Sequence, residues 1–206
     1  MGMLVLHDNL GSGNAYKVRL LLAHLGQPFQ RIEYDVTKAE TRTAEFLALN
    51  PDGRIPLLQF PDGRVLAQSN AILFYLAQDS RYLPNDNFAQ AEVLQWMFFE
   101  QYSHEPNIAV ARYWLHFLDP SQVQQASLEE KWQKGYQALD VMEKRLGAAD
   151  FLVGDDYSIA DIALYAYTHV ADEAEMDLGP YPGIRRWLDR VAEQPGHVLI
   201  TQDDFT

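Results

Sequence analysis

The first eighty residues alternate strand and helix signals, and beyond them the strand signals stop. That asymmetry restricts the fold more than any single motif. A strand must find partners in a sheet, whereas an amphipathic helix needs only one apolar face to bury. Leu4-Val5-Leu6-His7 reads as a short buried strand, and Asp8 to Gly13 as a loop. Val18, Leu21, Leu22 and Leu25 then recur at i, i+3, i+4 and i+7, the spacing of one helix face. Gly26 suits the position just past a helix end, and Pro28 prevents continuation. Residues 30–35 alternate like a half-exposed second strand. A short helix around Ala44 to Ala48 runs into the breakers Asn50-Pro51-Asp52-Gly53. Leu57 to Phe60 and Val65 to Ala67 flank Pro61-Asp62-Gly63-Arg64, a hairpin signal, and a helix follows through Ile72, Leu73 and Leu76. The order β-α-β-α-β-β-α predicts a parallel pair with a right-handed crossover, extended by an antiparallel hairpin.

The polar stretch Asp79 to Asn87 reads as a linker. A long helical segment is predicted from Ala89 to about Leu118, bent near Pro106, and another from Ser121 to Leu146. Trp132, Tyr136, Leu139, Met142 and Leu146 lie along one face of the latter. Ile184, Trp187, Leu188 and Val191 mark a final helix. Ser158-Ile159-Ala160-Asp161 fits a capping box, with Tyr157 and Ile162 at the positions of a hydrophobic staple. Two domains are therefore expected, an α/β one over residues 1–80 and an all-helical one over 88–206.

Composition narrows the chemistry. The chain has no cysteine, which excludes a disulfide framework, a thiolate metal site and a cysteine nucleophile. Any thiol chemistry must use a thiol that the substrate brings. Net charge is −13, unevenly placed: residues 1–80 carry 7 Lys and Arg against 8 Asp and Glu, and residues 81–206 carry 9 against 21. So acidic a surface repels phosphate backbones and argues against nucleic acid, while the near-neutral first half suits an anionic small ligand. No apolar stretch approaches the roughly 18 residues that span a bilayer, and the start lacks a basic region followed by an apolar core. The expected location is the cytoplasm. Histidines at His-Glu-x-x-His spacing, a phosphate-binding loop and a nucleophile elbow are all missing.

Two short elements carry the chemical signal. Pro56 stands between Ile55 and Leu57, where a strand begins. A trans bond there would simply start the strand, and only about one X–Pro bond in twenty is cis. A cis bond would instead turn the backbone N–H and C=O of Ile55 outward, free to pair with an extended peptide. Gln68-Ser69 follows the next strand and opens a helix. Ser69 serves as an N-cap on its own account. The same hydroxyl, with the exposed N–H groups and positive dipole end of a helix start, also suits a carboxylate.

Ile55-Pro56-Leu57, Gln68-Ser69-Asn70-Ala71-Ile72 and Ser158-Ile159-Ala160-Asp161 strongly resemble the glutathione S-transferases, in that family's order and spacing from Leu4 through Trp187. The resemblance implies a thioredoxin-like first domain, an all-α second domain, a homodimer, and glutathione as co-substrate with no further cofactor or metal. Carried over by position, Ile55 would hold the cysteinyl backbone of glutathione with Pro56 cis. Gln68 and Ser69 would hold the γ-glutamyl carboxylate and amine, and Arg54, or more weakly Lys38, the glycyl carboxylate. The loop Leu10-Gly11-Ser12-Gly13-Asn14 would supply the catalytic group, with Ser12 at the place of the family's catalytic serine and Asn14 in reserve. Tyr16 falls inside the first helix turn, so a tyrosine-type mechanism is not expected.

Phe98, Phe99, Tyr102, Tyr113, Trp114 and Phe117 crowd one helical segment, chiefly as core, yet Gln101, His104 and Arg112 interrupt them and need partners if buried. The expected acceptor pocket lies near Tyr113, Trp114 and Leu10, with Gln101 or His104 reaching across a dimer. The resulting expectation is conjugation of the glutathione thiolate to a hydrophobic electrophile. Glutathione-dependent peroxidase or dehalogenase chemistry at the same site, and a non-enzymatic binding or scaffold role, are the alternatives.

Overall fold

The computed structural model describes residues 2–204. It divides into two compact units, Met1–Asp79 with Pro195–Thr206, and Ser80–Gln194.

The first unit is a four-stranded sheet: β1 (Leu4–Asp8), β2 (Phe29–Glu33), β3 (Leu57–Gln59) and β4 (Val65–Ala67), in the order β2-β1-β3-β4. β1 runs parallel to β2 and antiparallel to β3, and β3 pairs antiparallel with β4. The expected β-α-β pair and hairpin are both present. Gly63 takes the positive φ of +86° that the hairpin turn needs, and Phe60 N–H closes it on Arg64 O at 2.8 Å. Three helices belong to this unit: α1 (Gly13–His24), α2 (Ala44–Leu49) and α3 (Ser69–Leu76). Leu6, Val18, Leu22, Phe29, Leu58 and Ile72 form one apolar cluster between the sheet and its helices. The predicted stop at Gly26 is a Schellman cap, with Gly26 N–H on Ala23 O at 3.0 Å and Gln27 N–H on Leu22 O at 2.9 Å.

Where an amphipathic α1 is predicted, the helix is buried on every side from Ala15 to Leu22, including Lys17 and Arg19. The segment from Pro195 onward is one reason. Instead of continuing the helical domain it packs along α1: Tyr16 Oη donates to Val198 O at 2.7 Å, Arg19 Nη2 to Ile200 O at 3.0 Å, and His24 Nδ1 lies 2.9 Å from Pro195 O.

The second unit holds α4 (Asn87–Phe99), α5 (Glu105–Phe117), α6 (Gln125–Leu146), α7 (Ile159–Thr168) and α8 (Pro182–Ala192). The expected linker is packed: Tyr82 and Leu83 are buried, and Tyr82 O accepts from Ile159 N–H at 2.9 Å. α4 and α5 are separated by one π-type turn over Glu100–His104, which lies just before Pro106. Proline cannot supply the next helical N–H, and the wider turn accommodates the missing bond.

α7 is buried from end to end, and its capping box is complete. The Ser158 hydroxyl accepts from Ala160 N–H at 3.2 Å, while Asp161 accepts from Ser158 N–H, Ser158 Oγ, Leu152 N–H and Trp187 Nε1 at 2.9–3.1 Å. One carboxylate thus ties the α7 start to the preceding loop and to α8. Glu143 of α6 caps α8 in turn, accepting from Gly183 and Ile184 N–H at 2.8 and 2.9 Å, where a negative charge complements the helix dipole. Gly183 is required there, since a Cβ would come within 2.7 Å of Gly147 N.

Candidate functional site

In the first unit the predicted residues gather at two helix starts, those of α1 and α3. Ser12 is the N-cap of α1, half-buried, its Oγ accepting from Ala15 N–H at 3.3 Å. A hydroxyl accepts through lone pairs and keeps its proton. Among the described residues that proton has no acceptor, so Ser12 remains a donor at the positive end of α1.

Asn14, two residues on, joins the two helix starts. Its Oδ1 accepts from Ser69 Oγ at 3.2 Å and from Lys17 Nζ at 2.8 Å. α3 begins differently from the sequence expectation: its N-cap is Gln68, and Ser69 is the first helical residue. Ser69 Oγ donates to Asn14 instead of capping its own helix. Gln68 takes φ +70° and ψ 111°, a region a residue with a Cβ rarely adopts. A strained backbone at a helix start that presents N–H groups is a mark of a ligand site.

Ile55-Pro56 is cis, Pro56 is buried, and the β3 ladder begins only at Leu57, paired with His7. Ile55 therefore lies beyond the sheet hydrogen bonds. The turn before it is braced by Asn50 Nδ2 on Arg54 O at 2.8 Å and Arg42 Nη1 on Asp52 O at 2.9 Å. Gly53, at φ +62°, lies against the Arg42 guanidinium, which a Cβ would strike. Arg54 itself is exposed, 3.6 Å from Asp52. Lys38 is also exposed and paired with Asp35 at 2.8 Å; that bond holds the Asp35 carboxyl down at about 2 and raises Lys38. Both cations already neutralise nearby carboxylates, so each would have to exchange a partner to meet a ligand.

Sequence reasoning missed the frame beneath Ser12. Arg19, wholly buried, places Nη1 2.7 Å from both oxygens of Asp8 and 3.4 Å from Asn9 O, and Nη2 2.8 Å from Leu10 O. Leu10 N–H donates to Glu33 Oε1 at 2.9 Å, so both backbone groups of Leu10 are held. The signal was present: Lys17 and Arg19 interrupt an otherwise apolar helix and require partners if buried. Tyr16 is buried, with its hydroxyl donated to Val198 O.

In the second unit, Tyr113 is 39% exposed and stacks on Phe117 at 5.8 Å, and Trp114 is half-buried. Gln101 is exposed and donates to Glu100 Oε2 at 2.8 Å. His104 corrects the expectation of a substrate-facing or dimer-crossing group. It is fully buried, with Nε2 2.9 Å from Thr168 Oγ1. The Thr168 hydroxyl donates to Leu164 O at 2.7 Å, so His104 is the donor between them. The extra residue of the π-type turn rotates the next part of the helix by roughly 100° relative to a continuous α-helix. Arg112, which also interrupts the aromatic run, is buried and pairs with Glu173 at 2.6 Å.

Among the described residues no cluster of His, Asp and Glu is placed to hold a metal ion, and no helix is long and apolar enough to cross a membrane. Family models for the N-terminal and C-terminal domains of glutathione S-transferase match residues 3–78 and 92–195. The chain belongs to the glutathione S-transferase family. A glutathione S-transferase from Pseudomonas fluorescens is 47% identical, with a TM-score of 0.94 over 98% of this chain and 100% of that one. The disulfide-bond oxidoreductase YfcG of Escherichia coli is 30% identical over 91% of this chain and 90% of its own. A glutathione transferase homologue from Lodderomyces elongisporus, solved with two glutathione molecules per subunit, is 25% identical, with a TM-score of 0.85 over 95% and 96%. As a glutathione S-transferase, the chain pairs a thioredoxin-like sheet unit with a helical one, as the resemblance implied.

Proposed function

We propose that this chain binds glutathione at the two helix starts of its first unit and transfers the thiolate to a hydrophobic electrophile. The observation that carries the reading is the uncommitted Ser12 proton at the start of α1, on the helix that Asn14 links to Ser69. Gln68 and Ser69 receive the γ-glutamyl end, and the outward backbone of Ile55 pairs with the cysteinyl residue. Ser12 then donates to sulfur, with Asn14 as the second candidate.

The energy required is modest. Thiols titrate near ~8.5, and lowering that by one unit takes about 1.4 kcal/mol. One charge-assisted hydrogen bond supplies about 1.5–3 kcal/mol. Ser12→Ala is therefore expected to cut kcat/KM with a nitroaryl chloride about 10–100-fold while glutathione affinity by calorimetry stays within about twofold. Unchanged turnover would move the role to Asn14 or to a backbone N–H. A hydrophobic acceptor, a homodimer and work in the cytoplasm complete this reading.

Gln68 offers an independent check of the binding half. Gln68→Gly removes the positive-φ cost of roughly 1–3 kcal/mol but adds unfolded-state freedom worth about 0.4–1 kcal/mol. Stability should rise by about 0–2.6 kcal/mol, whereas glutathione affinity should fall about tenfold. Unaltered affinity would remove Gln68 from the site.

Reduction of disulfides is the second reading, favoured by the 30% identity to YfcG and by the two glutathione molecules in the Lodderomyces homologue. With no cysteine in the chain, both thiols come from glutathione. The first thiolate attacks one sulfur of the substrate disulfide and expels the other as a thiolate. The second glutathione thiolate then attacks the glutathione sulfur of the mixed disulfide, releasing the remaining substrate thiol and leaving oxidised glutathione. Assaying a nitroaryl chloride and a small disulfide side by side separates the two reactions.

A further inference from the structure

The segment from Pro195 onward does more than cover α1. It reaches the charged frame that holds the loop before that helix. Glu33 Oε1 accepts from Leu10 N–H at 2.9 Å and from Asn9 Nδ2 at 3.2 Å, while Glu33 Oε2 meets Arg31 Nη2. Arg31 Nε lies 3.3 Å from Asp8, Asp8 meets Arg19 Nη1, and Arg19 Nη2 returns to Leu10 O. The ring is closed, since it starts on one backbone group of Leu10 and ends on the other. Ser12 hangs from it, because Ser12 N–H donates to Asn9 O at 2.9 Å.

Two arms reach this ring from the distant segment, one to each arginine. Ile200 O accepts from Arg19 Nη2 at 3.0 Å, and Asp203 Oδ1 forms an ion pair with Arg31 Nη1 at 3.0 Å. Asp8 and Glu33 alone would balance the two arginines, so Asp203 is a third carboxylate. It is 73% exposed, whereas Arg31 is only 13% exposed. A guanidinium is a rigid planar fork, so anchoring Nη1 on Asp203 fixes the plane in which Nη2 and Nε meet Glu33 and Asp8. We propose that Asp203 is a positioning residue that, through Arg31 and Glu33, fixes the Leu10 loop so that the Ser12 hydroxyl faces the glutathione sulfur. This rests on the glutathione reading. Activation of the thiol then depends on a segment that follows the whole helical unit in sequence. An exposed ion pair adds little to overall stability, which makes the effect separable from a folding defect.

The test reads the full chain in two ways. Hydrogen–deuterium exchange of the Leu10 and Ser12 amides, without ligand, reports the loop itself. Ultraviolet thiolate absorbance reports the apparent pKa of the bound glutathione thiol. Asp203→Asn is expected to speed exchange at both amides about threefold, with Tm lowered by no more than about 3 °C. The same change should raise the thiol pKa by about half a unit, a roughly threefold loss of thiolate below that pKa. Asp203→Glu should recover part of both effects. On a Ser12→Ala background, Asp203→Asn should leave the thiol pKa unmoved, because the ring acts on sulfur only through Ser12. A shift that persists there overturns the proposal, as does faster exchange with an unmoved thiol, or no change in either readout. An unmodified chain that binds no glutathione overturns the parent reading and the proposal with it, whereas binding with an unmoved thiol overturns the proposal alone.

Discussion

Arg19→Met is expected to destabilise the protein by about 3–5 kcal/mol, read from chemical denaturation, and to lower turnover beyond what the stability loss explains. Asp8 and Arg19 are both fully buried, so methionine fills the space but leaves a carboxylate without its closest cation. Arg31 Nε, 3.3 Å from Asp8, keeps part of the compensation and sets the loss toward the lower end of that range. Asn9 O, Leu10 O and Ile200 O lose a donor at the same time. The first two belong to the loop that delivers Ser12, which is why turnover should fall too. Adding Asp8→Asn to the Arg19→Met variant should recover much of the stability, because the dominant cost is an uncompensated buried charge. No recovery would show that packing, not charge, is what Arg19 contributes. Lysine is a poor substitute: it retains the charge but lacks the planar fork that reaches Asp8 and two carbonyls together.

Asp161→Ala should bring a comparable loss, about 3–5 kcal/mol, from the other unit. Three buried N–H groups, those of Leu152, Ser158 and the Trp187 indole, would be left without an acceptor. At this chain length the loss corresponds to a fall in Tm of roughly 10 °C. Asp161 also carries a pH signature. Burial raises its carboxyl from 3.8 to about 6, against the pull of its hydrogen bonds. Between those two values the native state holds a proton that the unfolded chain has released. The contribution of Asp161 is therefore complete at or below about pH 4 and falls by about 3 kcal/mol as pH rises through 6, then levels. The stability difference between wild type and Asp161→Asn, measured from pH 4 to 7, should narrow by that amount. A widening difference would mean that the four donors outweigh burial and hold the carboxyl below its ordinary value.

The elements that sequence reading recovered are those whose cause is local. Hydrophobic periodicity, the Asp-Gly turn, the glycine stop at Gly26 and the capping box at Ser158 each act within a few residues, so their spacing is enough to find them. Ile55-Pro56 and Gln68-Ser69 were legible for a related reason: each follows or opens a regular element at a recognisable boundary. Ser12 and Asn14 were legible only through the family resemblance, and they lie at the N-cap and first turn of α1.

Other features depended on residues distant along the chain. That α1 is buried all round is due in part to the segment from Pro195 onward, more than 170 residues later, which shifts Tyr16, Arg19 and His24 from a solvent face to a packed one. The true cap of α3 is Gln68 because the Ser69 hydroxyl is drawn to Asn14, 55 residues earlier. His104 is inward because it continues the buried face of Val93, Met97 and Glu100 and meets Thr168, 64 residues later. The amino-acid sequence by itself determined the two classes of unit, the helix and strand order, and the residues from which a thiol site could be built. Only the tertiary structure decided which of those residues are held, in which hydrogen-bond sense, and by what. Burial turns Lys17, Arg19 and Asp161 from ordinary surface charges into groups that must be paired, and their partners are brought near by the fold.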